Sequence, residues 1–104
     1  MRVMFLANYA PQAIKGLMQG ADRESVMRST FESAGGKLNG IAFTRGAYDV
    51  VVSGEVPDQA ASMGIAMAVR ATGSVTELCV LEEFDLPKVV KAANGVAAAY
   101  KPAG

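Results

Sequence analysis

Two β-like runs meet at Gly46-Ala47 with no room for a helix between them, whereas every other pair of neighbouring β-like runs is separated by a helical stretch. Glycine at the first position of a two-residue loop suits a type II′ hairpin turn. The spacing therefore predicts strands over Lys37–Arg45 and Tyr48–Val56 joined by that turn. Val50-Val51-Val52 suits a central strand, because β-branched side chains fit a pleated, buried surface. Asn39-Gly40 is a competing hairpin signal. It leaves only Lys37-Leu38 ahead of it, so a bulge is expected there instead.

The pattern outward from this hairpin is symmetrical. Arg2–Tyr9 is apolar on both faces and predicts a buried strand. Pro11 suits the first turn of a helix, and Ile14, Leu17 and Met18 follow at helical spacing. Gly20 interrupts, and Asp22 is positioned to cap a second helical stretch lined by Met27, Phe31 and Ala34. Gly35-Gly36 ends it, since glycine adopts the left-handed position after a helix at low cost. Beyond the hairpin, Pro57-Asp58 opens a helix to about Thr72, stopped by Gly73. It is rich in small residues (Ala60, Ala61, Gly64, Ala66, Ala68, Ala71), with Ile65, Met67 and Val69 supplying bulk. Ser74–Glu82 predicts a fourth strand. Asp85-Leu86-Pro87 starts a C-terminal helix over about 86–99 with Val89, Val90 and Ala93 on one side, and residues 101–104 form a tail.

The order β-α-β-β-α-β, with right-handed crossovers, predicts an α+β, ferredoxin-like sandwich with a four-stranded antiparallel sheet, plus a C-terminal helix. Strands one and three belong in the centre, and they are the two most apolar. All 104 residues fit one domain, 1–104, and a hydrophobic content of 51% supplies a core.

Function is constrained mainly by what is missing. There is no histidine, which removes the Ser-His-Asp triad, the histidine base and the proximal ligand of most haem proteins. A single cysteine, Cys79, allows no intrachain disulfide and no closed zinc set, so no metal site and no cofactor are expected. Cys79 lies between apolar residues without a neighbouring cation and reads as a buried, inert thiol. Ten basic residues balance ten acidic ones. Neither nucleic acid nor a membrane surface is an expected partner. No glycine run forms a phosphate cradle. The N-terminal apolar stretch is too short for a signal segment, and a cytoplasmic location is expected. The methionines, among them Met4, Met18, Met27, Met63 and Met67, read as core filling.

Gly46-Ala47-Tyr48-Asp49 resembles the Gly-x-Tyr-Asp signature of the GYD domain family. Asn8-Tyr9-Ala10-Pro11, Gly35-Gly36-Lys37-Leu38, Val56-Pro57-Asp58 and Ala71-Thr72-Gly73-Ser74-Val75 resemble further family segments in order, over roughly residues 2–84. The resemblance implies a subunit of a dimeric α/β barrel, in which two sheets face each other around a pocket. The wider group includes small monooxygenases, isomerases, haem enzymes and binding proteins, so fold does not select a function.

Alternation places Asp49, Val51, Ser53 and Glu55 on one face of the third strand, opposite Val50 and Val52. Glu77 then shares a face with Cys79 and Leu81, and Asn8 one with Met4 and Leu6. A homodimer would turn this face into its barrel. The candidate ligand-binding residues are therefore Asn8, Arg45, Tyr48, Asp49, Ser53 and Glu77. Asp49 has a second reading, as a turn residue accepting backbone N–H groups. Arg45 and Arg23 are candidate anion holders or surface ion-pair members. The leading reading is a small-molecule binding module. The alternatives are a cofactor-free oxygenase or isomerase, with Asp49, Glu77 or Tyr48 moving protons, and a structural assembly protein.

Overall fold

The computed structural model describes residues 1–104. Its elements are β1 (Arg2–Tyr9), α1 (Pro11–Met18), α2 (Arg23–Ser33), β2 (Lys37–Phe43), β3 (Val50–Glu55), α3 (Gln59–Ala71), β4 (Val75–Glu82) and α4 (Leu86–Ala99). The four strands form one antiparallel sheet in the order β2-β3-β1-β4. This is the ferredoxin-like α+β arrangement, with β1 and β3 in the centre.

The core lies between the sheet and helices α2 and α3. Val3, Phe5 and Ala7 of β1 and Val50 and Val52 of β3 are buried, as alternation requires of residues facing one layer. Phe31 of α2 is fully buried and meets the edge of Phe5, ring centroids 5.8 Å apart. Ile65 and Ala66 of α3 close the other side. Three helices start on an aspartate that accepts from the third residue beyond it: Asp22 from the Ser25 N–H, Asp58 from Ala61 and Asp85 from Lys88. Each satisfies a backbone donor that has no partner within the helix. Gly35 and Gly73, both at positive φ, follow α2 and α3.

Several expectations are corrected. β2 ends at Phe43 and β3 begins at Val50, not at Arg45 and Tyr48. The last ladder bond runs from the Thr44 N–H to the Asp49 carbonyl, so the connection is a four-residue loop over Arg45–Tyr48 and not a two-residue turn. The bulge lies where it was expected, between Leu38 and Gly40. The methionines do not all fill the core: Met18, Met63 and Met67 are 83%, 59% and 70% exposed, while Met27 packs against the core. Bulk on α3 therefore comes from Ile65 and Val69, with Met67 on the outer side. No residue of α1 is buried.

The C-terminal helix occupies the predicted residues but buries none of its side chains against the body. None of its residues is buried. The radius of gyration is 17.5 Å and the longest extent 59 Å. A compact chain of this length has a radius near 13 Å, and the excess reflects α4 projecting from the body.

Candidate functional site

One face of the sheet carries the helices; the other is covered by no element of the chain. Strand pairing arranges the open face in three cross-strand rows. Near the β2–β3 loop, Asn8 stands opposite Glu77. The middle row is Ala42, Val51, Leu6 and Cys79, and the third is Gly40, Ser53, Met4 and Leu81. Met4, Leu6, Val51 and Cys79 are half-buried within a single chain, while Leu81 is 50% exposed.

The β2–β3 loop bends over the first row. Gly46, at φ +144°, holds a conformation that residues with a side chain rarely adopt. Thr44 Oγ1 donates to the Tyr48 carbonyl at 2.6 Å, and Asn8 Nδ2 donates to the Ala47 carbonyl at 3.1 Å. Asp49 is bound twice to β1: its N–H donates to the Ala7 carbonyl at 2.9 Å, and its Oδ2 accepts the Tyr9 N–H at 2.9 Å. The Gly-x-Tyr-Asp signature is thus a fastening device. Glycine permits the bend, aspartate ties the loop to the central strand, and the tyrosine between them is aimed across the open face.

The Tyr48 hydroxyl lies beside the Cys79 thiol, with the Glu77 carboxylate nearby. Cys79 first, then burial and Glu77, push the phenol above its ordinary value of 10. A phenol held protonated is a hydrogen-bond donor throughout the neutral range. Of the six candidates, the structure gathers Asn8, Tyr48, Asp49 and Glu77 at one end of the open face. Ser53 stands two rows away, and Arg45 lies exposed in the loop with no ion pair. The Asp49 carboxylate is engaged by the β1 backbone, its second reading. Cys79 joins the cluster although it reads in sequence as an inert core thiol. Alternation places it on the face of Glu77, but only the reach of Tyr48 across β1 brings the two side chains near each other. No group of three or more His, Cys, Asp or Glu side chains is placed to hold a metal ion, and no helix is long and apolar enough to cross a membrane.

A ferredoxin-like sheet with one uncovered face and a polar cluster at its hairpin end defines the class: a small α+β domain with an open-faced sheet. Within that class the chain belongs to the GYD domain family, whose family model matches residues 4–93. The match extends past the resemblance legible in the sequence and takes in the first half of α4. No curated protein matches the chain in sequence. Among solved structures, one described as FFRP-DM1 superposes with a TM-score of 0.55 at 12% identity, covering 80% of this chain and 97% of that one. A hypothetical protein from Pyrococcus horikoshii, PHS023, gives 0.49 at 13% identity over 81% of this chain and 90% of that one. At such identities the first similarity establishes the fold alone.

Proposed function

We propose that this GYD domain is a homodimeric small-molecule binding module, in which the open sheet face packs on the same face of a second copy and the Tyr48 cluster borders a pocket between the sheets. The observation that carries this reading is the face itself. Its middle and outer rows are largely apolar, and its inner row is polar and convergent, with Asn8, Tyr48 and Glu77 drawn from three elements. An apolar surface with a few fixed polar groups is what a ligand site needs. Two sheets stacked face to face lie about 10 Å apart, which leaves room at the end where side chains are polar and do not interdigitate.

Native mass spectrometry of the freshly purified protein tests both halves of the proposal. A dimer is expected at micromolar concentration, carrying extra mass if the ligand co-purifies. Leu6→Glu places a charge at the centre of the open face without touching the helix-side core. It should yield a folded monomer with unchanged far-UV circular dichroism. A wild-type monomer at that concentration would sink the shared pocket. Tyr48→Phe removes the donor and should keep the dimer while weakening retention of the ligand.

A further inference from the structure

The helix side of the sheet holds a cavity. α2 packs mainly over β2, and α3 over β4. Between them a cleft of about 240 Å³ opens onto the sheet. Its walls repeat at helical spacing, with Val26, Met27 and Thr30 on α2 and Ile65, Ala68 and Val69 on α3. Phe5 and Val52 are among the floor residues. Twelve of its sixteen lining residues are hydrophobic, so it is an apolar slot. Ala68 is one reason it is unfilled: a large side chain there would occupy the space.

One cation lines this slot. Arg23 sits in the first turn of α2, and its guanidinium lies beside the Tyr9 hydroxyl. The neighbouring carboxylates already have partners. Asp22 caps Ser25, Glu24 pairs with Arg28 at 3.8 Å, and Asp49 accepts the Tyr9 N–H. Arg23 itself has no ion pair. Its five N–H donors, in a planar fork, suit a carboxylate held at two oxygens. Tyr9 supplies a further hydroxyl. Burial, and to a lesser degree Asp49, raise its pKa while Arg23 opposes them, and it stays a neutral donor.

We propose that this cleft is a binding site for a small amphipathic carboxylate, with the aliphatic or aromatic body between α2 and α3 and the carboxylate on Arg23 and Tyr9. An apolar cavity of roughly 150 Å³ holds a benzene-sized molecule, so the body here is a medium-length chain or a single substituted ring. The site lies within one chain and on the opposite side of the sheet from the Tyr48 cluster. It therefore does not depend on the dimer.

The test is titration of the whole protein with octanoate, followed by methyl and amide NMR shifts and by calorimetry, with octanol as the uncharged control. Saturable shifts at Val26, Ile65, Val69 and Ala68 are expected, with octanol at least about tenfold weaker, in line with a charge-assisted contact. Arg23→Met should weaken octanoate by a similar factor and leave octanol unchanged. Ala68→Phe, on the outward layer where folding tolerates bulk, should abolish both. The monomeric Leu6→Glu variant should bind octanoate as the wild type does, which separates this site from the dimer pocket. No saturable shift at millimolar octanoate, or shifts confined to the open sheet face, would overturn the proposal. Equal affinities for octanoate and octanol would overturn the role of Arg23.

Discussion

At the scale of single residues, the structure turns on a few close approaches. Gly54 of β3 faces Phe31 directly. A Cβ there would come within 2.7 Å of the ring's Cδ1 and 2.6 Å of the Lys37 carbonyl, and neither the buried ring nor the backbone has space to yield. Gly54→Ala is expected to destabilise the fold by about 1–3 kcal/mol, the usual cost of overpacking a core, measurable by urea unfolding. Asp49 predicts a graded series. Asp49→Ala leaves the Tyr9 N–H without its acceptor and should cost about 1–3 kcal/mol, whereas Asp49→Asn keeps an acceptor oxygen and should cost less. Tyr9 and Tyr48 have folded pKa values raised above 10. Their contribution to stability is fully present below pH 10 and is lost as the pH rises through the folded values, because the unfolded chain then releases these protons first. Absorbance titration of the phenolates should show two late-ionising tyrosines. Arg23→Met should move Tyr9 still higher, since Arg23 is the group that holds it down.

At the scale of elements, α4 stands apart. Leu86, Val89, Val90 and Val96 are 45–63% exposed, and Tyr100 beyond the helix 69%. Pro87 in the first turn and the Asp85 cap favour its start. A lone helix of this length is nonetheless marginal in water. Removing residues 86–104 should therefore shift the melting temperature of the body by less than about 2 °C, because nothing in the body loses a packing partner. In hydrogen exchange, the α4 amides should be the least protected helical amides of the isolated chain. Marked protection at micromolar concentration that is lost on dilution would show that a second copy covers the helix. The matched family segment runs to residue 93 and so includes the first half of α4.

At the scale of the molecule, charge is unevenly placed. The charged side chains beyond Asp85 are Lys88, Lys91 and Lys101, so the neutral total conceals a basic arm on a body with an excess of acid. Small-angle scattering of the monomeric Leu6→Glu chain ending at Asp85 should give a radius of gyration of about 12–13 Å, the value for a compact domain, against 17.5 Å for the Leu6→Glu chain with the arm extended. A full-length monomer with the smaller radius would show that α4 folds back on its own body.

Alternation and glycine punctuation by themselves determined which stretches became strands, which two strands took the centre and which face each residue would share. Val50 and Val52 against the helices, and Glu77 beside Cys79, follow from a period of two, a local property of an extended backbone. The cap at Asp22 and the helix starts at Asp58 and Asp85 were legible for the same reason: a cap is a contact three residues long. Only the tertiary structure decided the length of the β2–β3 loop, which depends on the bonds Asn8 and Thr44 make to it. It alone joined Tyr48 to Cys79 across β1, left Arg23 without a carboxylate at the mouth of a cleft, and turned Met18, Met63 and Met67 outward. Each of these rests on the distance between elements remote in the chain, and a period or a spacing carries no information about that distance.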